Sequence, residues 1–360
     1  MRILVVSVSA RMIAELAVAD GHEVVALDRF GDVDLRAIAR GETAGSADEL
    51  AALAEGIDAD AVVYGAGFEN RPALVSRLAS GRELLGTPAE LLAAVRDPFA
   101  VGGAARAAGV RAPETRSARA LEARPPGEWL RKPMRGGGGR GVRRWEGGRL
   151  GEGEILQRQI RGLSCSAVAI GDGRGADVIG LTEQLHRPGS FGWVGNVAPP
   201  RLPDPELAEL DGQLRAVCAE VAARFGVRGA FGVDAVWDGR HAWVLEVNPR
   251  PPASLELFGP GCFEAHVRGA RGLGVRTADV PRPTSGANVK LILFADRDLL
   301  APDPGWWPTG VVRDIPHAGE TIRRGAPVCT LISAGGSVPG LVERGARLLS
   351  ALEEAALVDA

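Results

Sequence analysis

Short apolar runs alternate with amphipathic runs over the first part of the chain. The continuous apolar character of buried strands occurs in RILVVSV, HEVVALD and ADAVVYGAG, and the apolar period of a helix occurs in RMIAELAVADG and ADELAALAEGI. Strands that alternate with helices predict a parallel sheet covered by helices. Residues 1–86 are therefore expected to form an α/β domain.

The turn after the first predicted strand argues against a dinucleotide in this domain. A dinucleotide-binding fold needs G-x-G-x-x-G between its first strand and first helix, and this chain has SVSARM there. Asp28 ends the second predicted strand, as a ribose-binding acid would, but the glycine loop that should accompany it is missing. The charged residues that closely follow the first apolar run also argue against a signal peptide.

The middle of the chain predicts helices followed by hairpins. Two helices separated at Asp97-Pro98 are predicted in TPAELLAAVRDPFAVGGAARAAG, and a loop containing several prolines follows to about Gly127. EWLRKPM and VRRW predict strands joined by a long glycine tip. Further strands are predicted in EILQRQI, LSCSAVAIG, GAFGVDAVW and HAWVLEVNPR, and a long helix in PELAELDGQLRAVCAEVAARFG. These elements make up a second region, residues 87–258.

The pattern is shorter in the last part of the chain, residues 259–360. A strand is predicted in ANVKLILFA, a small β unit with tight turns in PGWWPTGVVRDIP and GETIRRGAPVCTLI, and a closing helix in VPGLVERGARLLSALEEAAL. Trp306 and Trp307 are expected to pack inside the small β unit. The fold class predicted for the whole chain is α/β.

Composition and charge limit the partners. Lysine and arginine number 42 against 45 acidic residues, and this net charge of −3 gives no general reason to bind nucleic acid. No apolar run approaches the roughly 18 residues of a membrane span. The four cysteines form no CxxC pair, so neither a zinc site nor a disulfide framework is predicted. Buried thiols in a reducing cytoplasm are expected instead.

The stretch RKPMRGGGGRGVRRW is the first candidate for chemistry. Lys132 lies on the incoming strand, and backbone N–H groups of the tip can approach phosphate oxygens because glycine has no Cβ. The glycines concerned are Gly136, Gly137, Gly138, Gly139 and Gly141. The tip is not a P-loop, because no G-K-[ST] closes it. Taken alone, the stretch is also open to interpretation as a surface hairpin with a flexible tip.

The second candidate is a hairpin that carries acidic residues among apolar ones. Glu246 and Asn248 lie two apart on one strand and so face the same side, and pairing with the preceding strand is expected to bring Asp234 beside Glu246. Two carboxylates and an amide oxygen suit Mg²⁺ held together with substrate phosphates, and a solvated acidic hairpin is the alternative. Arg250 follows, and its guanidinium is expected to hold a phosphoryl or acyl-phosphate oxygen.

The two hairpins together resemble the ATP-grasp superfamily, in the layout of biotin carboxylase and its relatives. The matching segments are LRKPMRGGGGRGV, ILQRQIRGLSCSAVAI and GAFGVDAVWDGRHAWVLEVNPR. The resemblance implies a pre-ATP-grasp domain at 1–86, an ATP-grasp domain at 87–258 with its lid at 131–145, and a C-terminal part at 259–360 that completes the grasp. It implies ATP and Mg²⁺ as cofactors and is compatible with a homodimer.

The resemblance also assigns roles to particular residues. Lys132 would contact ATP phosphates beneath the glycine lid, and Arg250 would support the transferring phosphate. The magnesium ligands would be Asp234, Glu246 and Asn248. The hinge between the two lobes, where backbone groups bind adenine, would consist of Gln157, Arg158, Gln159 and Ile160.

Three positions depart from the family pattern. The family usually has an Asp-Lys pair whose lysine contacts ATP near the place where this chain has Asp97-Pro98, and Arg96 is the expected replacement. The hinge glutamate is replaced by Gln157. Ser254 stands four residues after Arg250, where biotin carboxylases have a catalytic glutamate.

The acceptor side of the cleft is expected in LTEQLHRPGSFGWVGNVAPPR. The substrate-binding side chains predicted there are Gln184, His186, Arg187, Asn196 and Arg201. Taken alone, His186 fits a surface histidine better than a catalytic one. Family members activate a carboxylate with ATP as an acyl phosphate, which a nucleophile, usually an amine, then attacks. The resemblance therefore implies a carboxylate–amine ligase, in the biosynthesis of a cofactor or an amino-acid-derived metabolite. A biotin-carboxylase-like carboxylating enzyme and a nucleotide-binding regulator without activity are the alternatives.

Overall fold

The computed structural model describes residues 1–118, 126–274 and 286–358. Residues 119–125, which belong to the predicted proline-containing loop, lie outside the described residues. No helix in the described part of the chain is long and apolar enough to cross a membrane. All four cysteines are buried and unpaired, as expected.

A five-stranded parallel sheet forms the N-terminal part and has the spatial order β3-β2-β1-β4-β5. Its strands are β1 (Arg2–Val6), β2 (Glu23–Asp28), β3 (Arg40–Thr43), β4 (Ala61–Tyr64) and β5 (Glu83–Leu84). The helices among them are α1 (Arg11–Ala19), α2 (Val33–Ile38), α3 (Ala47–Glu55) and α4 (Pro72–Leu78). The predicted parallel sheet is therefore confirmed. Strand β3 was not predicted, because its sequence RGET has no apolar residue.

Two helices lead from this sheet to a smaller one. Helices α5 (Ala89–Val95) and α6 (Pro98–Ala107) separate where predicted, because the Asp97 side chain accepts hydrogen bonds from the backbone N–H groups of Phe99 and Ala100 and so caps α6. A four-stranded sheet follows, in the order β6-β9-β7-β8. Its strands are β6 (Thr115–Ser117), β7 (Trp129–Pro133), β8 (Arg143–Arg144) and β9 (Glu154–Arg158). The glycine tip joins β7 to β8.

An eight-stranded sheet forms the other side of the cleft, in the order β14-β13-β10-β11-β12-β15-β19-β17. Its strands are β10 (Leu163–Asp172), β11 (Ala176–His186), β12 (Trp193–Ala198), β13 (Arg228–Trp237), β14 (Ala242–Asn248), β15 (Ala287–Phe294), β17 (Val312–Arg313) and β19 (Pro327–Gly336). Strands β16 (Leu299–Leu300) and β18 (Thr321–Ile322) form a separate pair. The helices are α7 (Asp204–Phe225), α8 (Cys262–Ala270) and α9 (Val338–Val358).

Apolar packing fixes this sheet between helices. The buried face of α7 repeats at helical spacing through Leu210, Leu214, Val217 and Val221, and it packs into one cluster with the apolar residues of β10, β13 and β14. A second cluster joins β15 and β19 to α9 and includes Trp307, which is buried as expected. Strands from the last part of the chain therefore extend the sheet that carries the acidic hairpin.

Candidate active site

The hairpin of β13 and β14 brings the predicted carboxylates together. Asp234 is paired directly with Glu246, and a bulge follows between Asp234 and Ala235. Asn248 Nδ2 donates to Asp234 Oδ2 at 3.0 Å, and Gln184 Nε2 donates to Asp234 Oδ1 at 2.9 Å. The expected pairing is therefore confirmed, and all three predicted magnesium ligands lie on one face of the sheet.

The two carboxylates have opposite electrostatic environments. Burial and the neighbouring charge of Glu246 raise the pKa of Asp234 to about 7. Burial acts in the same direction on Glu246, but the charges of Arg96 and Lys132 outweigh it and hold the pKa of Glu246 below its usual value. A divalent cation between the carboxylates would remove this repulsion.

Lys132 extends from β7 into the same space. Its Nζ donates to Gln157 Oε1 at 2.9 Å, and burial lowers its pKa although Glu246 and Asp234 oppose that shift. The glutamine that replaces the family's hinge glutamate therefore binds the lysine through a neutral oxygen. Because that oxygen is neutral, the positive charge of Lys132 stays available to an anionic ligand.

The glycine tip is closed over the cleft. The backbone N–H of Trp193 donates to the Gly138 carbonyl at 3.1 Å. Gly139 has φ +72°, and a Cβ on it would lie 1.8 Å from the carbonyl oxygen of Phe191. Only glycine fits this contact, because the tip and the β11–β12 hairpin touch backbone to backbone. The tip thus forms the roof of a cavity of about 230 Å³.

The predicted hinge forms part of the cavity wall. All four of its residues line the cavity. The backbone N–H groups of Arg158 and Gln159 donate to the carbonyls of Glu114 and Glu128, which ties the end of β9 to the small sheet. Gln159 Oε1 is buried and has no hydrogen-bond partner within the described residues. An unpaired buried acceptor of this kind fits a ligand that carries an N–H group.

Arg96, expected as the replacement for the missing lysine, connects three parts of the molecule. Its guanidinium donates to the Gly136 carbonyl of the lid at 2.8 Å and to the Val247 carbonyl of β14 at 2.7 Å. It also reaches Asn248 Oδ1 at 3.2 Å and Asn70 Oδ1 at 3.1 Å. The guanidinium of Arg96 therefore places a positive charge between the lid and the carboxylate hairpin, although this chain has no Asp-Lys pair.

Arg250 lines the cavity and is positioned by a residue that the sequence did not indicate. Its Nε forms an ion pair with Glu69 at 3.3 Å, and Glu69 is only 4% exposed. Tyr64 Oη donates to the carbonyl of Pro249, the residue before Arg250, at 2.9 Å. Both partners belong to the N-terminal part, so that part orients the arginine expected to act on the transferring phosphate.

A buried group of charges supports the segment that follows. Lys290 on β15 forms an ion pair with Glu256 and donates to the Ala253 carbonyl at 3.2 Å. Glu256 also pairs with Arg11, which binds Asp314 at 2.9 Å. Of the 42 basic residues in the chain, only Lys132 and Lys290 are lysines. Lys132 lines the cavity and is half-buried, whereas Lys290 contacts the segment that follows β14 and is 3% exposed.

The structure brings three of the five predicted substrate residues to the cavity. Gln184, His186 and Asn196 line it. Arg187 instead stacks on the ring of Phe294 at 4.0 Å, and Arg201 forms an ion pair with Glu183. Neither arginine lies among the cavity residues, because each side chain is already engaged at the outer side of the hairpin. Trp193 Nε1 donates to Asn196 Oδ1 at 3.1 Å, which orients that amide beside the cavity.

Magnesium and ATP fit these residues. The raised pKa of Asp234, the oxygen donors on one face and the backbone contact that only Gly139 permits all suit a cation held with phosphates beneath a closing loop. No group of three His, Cys, Asp or Glu suited to a metal occurs in the ranges that the structure describes. Two carboxylates and an amide are enough when phosphates and water complete the coordination of magnesium.

A family model matches the central part of the chain. Residues 97–254 match the family model of the ATP-grasp domain, so this part of the chain is an ATP-grasp domain. The matched residues contain the lid, the hinge and the carboxylate hairpin. The resemblance predicted from the sequence is therefore confirmed. No curated protein matches the chain by sequence.

Solved structures with the same fold include carboxylases. Pyruvate carboxylase from Rhizobium etli has a TM-score of 0.73 and 17% identity over 96% of this chain, which spans 37% of that longer protein. The biotin carboxylase domain of 2-oxoglutarate carboxylase from Hydrogenobacter thermophilus, a dimer with MgADP and bicarbonate, has a TM-score of 0.69 and 16% identity, covering 92% of this chain and 86% of that one.

A third similar structure corresponds to this chain over almost its full length. N5-carboxyaminoimidazole ribonucleotide synthetase from Thermus thermophilus has a TM-score of 0.67 and 19% identity, covering 97% of this chain and 98% of that one. At these identities the likeness shows the fold, and the reaction has to be argued from the site.

Proposed function

We propose that this protein is an ATP- and Mg²⁺-dependent carboxylate–amine ligase that forms an amide through an acyl phosphate. One observation carries the proposal: Lys132, the Asp234–Glu246 pair and Arg250 line a single cavity beneath a closed glycine lid. The two cations and the carboxylate pair suit the phosphates and metal of MgATP, and Ser254 stands where carboxylases have a glutamate.

The proposed reaction has two steps. An oxygen of the substrate carboxylate attacks the γ-phosphorus of ATP, the bond to the β–γ bridging oxygen breaks, and ADP leaves. The amine nitrogen then attacks the acyl carbon, loses a proton, and expels inorganic phosphate with the electrons of the C–O bond. Magnesium would lower the repulsion between the anionic reactants. Lys132 and Arg250 would stabilise the negative charge that develops on the transferring phosphoryl oxygens.

The closed lid supports an intermediate that must be kept from water. An acyl phosphate is readily hydrolysed, and the contacts of Gly138 and Gly139 with the β11–β12 hairpin cover the cavity that would contain it. Carboxylate and amine would both have to bind before the lid completes the site. ADP release is therefore expected to need the acid, and product formation to need both substrates.

A hydroxylamine assay tests the first step without knowledge of the amine. Purified protein with MgATP and hydroxylamine would be supplied with the common amino acids and with short mono- and dicarboxylic acids, one at a time. An acyl phosphate reacts with hydroxylamine to a hydroxamate, which is scored by its colour with ferric ion and by mass. Candidate amines are then tested with the active acid. Failure of every acid to give hydroxamate or ADP would rule out the ligase.

The Glu246→Gln variant tests the metal role of the carboxylate pair. Glutamine keeps the shape but removes the charge, so ADP release should fall below about one hundredth of the wild-type rate. Glu220→Gln on α7, which is outside the cavity lining, is the matched control and should keep full activity. A thermal midpoint of Glu246→Gln within a few degrees of wild type would show that the fold is intact. Full activity of Glu246→Gln would contradict the assigned role.

Bicarbonate-dependent carboxylation is the second candidate function, and the carboxylating enzymes among the similar folds favour it. ADP release that requires bicarbonate and is stimulated by biotin would support it over the ligase. The third alternative, a nucleotide-binding regulator, was suggested only by the missing Asp-Lys pair. Arg96 supplies a cation 3.2 Å from Asn248 Oδ1, which removes that reason.

A further inference from the structure

We infer that His186 is the general base of the second step, which accepts the proton that the amine nitrogen loses as it attacks the acyl phosphate. The inference rests on the proposed ligase reaction and adds a residue that touches the acceptor substrate. It follows from the position of His186 in the cavity, from the chemistry of the other lining residues and from its free ring nitrogens.

His186 lies beneath the lid on the acceptor side of the cavity. It is the last residue of β11 and pairs with Trp193 of β12, whose N–H binds the lid carbonyl of Gly138. Gln184, two residues earlier on the same face of β11, donates to Asp234. The imidazole is therefore about one strand repeat, roughly 7 Å, further from the metal site than Gln184 along this face. A nitrogen attacking next to the bound phosphates would lie between the two.

The chemistry of the lining residues leaves one proton acceptor. Ionisable side chains that line the cavity within the described residues are Lys132, Arg140, Arg158, His186, Asp234, Glu246 and Arg250. The lysine and the arginines carry a proton already, and the two carboxylates are assigned to the cation. Ser254 is no base on its own. With Asp234 and Glu246 assigned to the cation, His186 is the remaining lining residue that can take a proton near neutral pH.

The protonation state of His186 suits this role. Neither ring nitrogen has a hydrogen-bond or ion-pair partner in the described part of the chain, and the side chain lines the cavity. Burial lowers the pKa of His186. The charged groups that line the cavity with His186 are Lys132, Arg140, Arg158, Asp234, Glu246 and Arg250. Burial is the cause of the shift. The ring is therefore neutral at pH 7 and free to accept a proton.

The proton balance of the step is complete with this residue. As the C–N bond forms, the amine nitrogen becomes positively charged and acidic. A neutral ring nitrogen of His186 takes its proton, phosphate leaves with the C–O bonding electrons, and the imidazolium returns the proton to solvent when the lid opens. No further reactant is needed.

The test compares two nucleophiles in His186→Gln, which cannot accept the proton. Hydroxylamine is largely unprotonated at neutral pH and needs less help from a base, so hydroxamate formation with the active acid should stay within about twofold of wild type. Amide formation with the amine identified by product mass should fall by about 100-fold or more.

The rate of amide formation in wild type should also decline as the pH falls through the pKa of His186, and this decline should be missing in the variant. His241→Gln, in the turn of the β13–β14 hairpin, is the control and should match wild type in both assays.

Each other result has a definite meaning. Equal losses of hydroxamate and amide formation, or unchanged amide formation, would overturn the role of His186. A resonance of labelled His186 that titrates above pH 7 in full-length protein with MgADP would also overturn it, whatever the amine. Wild-type protein that forms no hydroxamate from any acid would instead contradict the ligase reaction itself.

Discussion

At the scale of single residues, Arg96 connects several parts of the site. One guanidinium binds the lid, the strand that carries two of the predicted magnesium ligands and the N-terminal part. It also lowers the pKa of Glu246, whereas burial acts in the opposite direction. An arginine can do this where a lysine cannot, because its planar group offers several donors in fixed directions.

Replacing Arg96 should weaken nucleotide binding. In Arg96→Met the lid carbonyl of Gly136 loses its charged donor, and a charged hydrogen bond contributes about 1.5–3 kcal/mol. The Kd for MgADP, measured by titration calorimetry, should therefore rise by about tenfold to a hundredfold. Arg106→Met, at an exposed position of α6, is the matched control. An unchanged affinity of Arg96→Met would show that the lid contact does not serve the nucleotide.

The carboxylate pair was predictable from sequence, and its supporting residues were not. A spacing of two on a strand fixes the common face of Glu246 and Asn248 wherever the strand lies. The ion pair of Arg250 with Glu69 spans 181 positions of the chain. No local pattern marks such a partner, because Glu69 follows a strand of a different sheet. The same holds for Arg11, which the sequence places simply at the start of a helix.

At the scale of elements, hairpins were easier to predict than sheets. The β13–β14 hairpin and the glycine hairpin both join neighbouring runs through turn residues, so local sequence decides their pairing. The resemblance implied that the last part of the chain completes the grasp, but the pattern of the sequence did not reveal which strands β15 and β19 would pair with. That pairing depends on apolar packing against α9 and on contacts between distant segments. Short strands such as β5 have too few residues to show any period.

The lid hairpin gives a prediction with a control inside the same run of glycines. In Gly139→Ala the added Cβ would meet the Phe191 carbonyl and the residue would keep an unfavourable φ, so the closed lid should be destabilised. Gly137→Ala has open space around its Cβ and no positive φ. Trypsin should cleave at the lid arginines several times faster in Gly139→Ala than in wild type or Gly137→Ala, with MgADP present. Equal cleavage of all three would contradict the closed contact.

At the scale of the whole molecule, the N-terminal sheet and the last strands meet behind the active site. Arg11 from α1, Glu256 from the segment after β14 and Lys290 from β15 form a single buried group of charges. Removing one partner from such a group commonly costs 3–5 kcal/mol, because the remaining charge is left buried without compensation. The geometry of the cavity therefore depends on all three parts of the chain.

His266 on helix α8 makes the stability of the whole molecule depend on pH. His266 Nδ1 accepts from the Ala230 N–H at 2.8 Å and its other nitrogen lies 3.2 Å from the Leu85 carbonyl, so the folded protein holds it neutral. Burial lowers the pKa of His266 to about 4. The unfolded chain then binds an extra proton below about pH 6.5, and the folded protein should lose about 3 kcal/mol of stability between pH 6.5 and 4.

Thermal midpoints of wild type and His266→Gln between pH 7.5 and 4.5 test this effect. The variant should be less stable at pH 7.5, because it loses the two buried contacts, but its midpoint should fall less steeply with acid. Comparing the two slopes cancels contributions from other titrating groups. Parallel curves would show that His266 does not set the acid sensitivity.

Because the chain contains only two lysines, reagents that modify amines should label the cleft selectively. Amine-acylating reagents normally modify dozens of surface side chains, whereas here Lys132 and Lys290 are the only side-chain targets. The half-buried Lys132 should react first, and MgADP should shield it, so one mass shift would report whether the cleft is filled. The same composition protects the outer surface from lysine-directed crosslinking and acetylation, which makes the protein suited to footprinting of its ligands in mixtures.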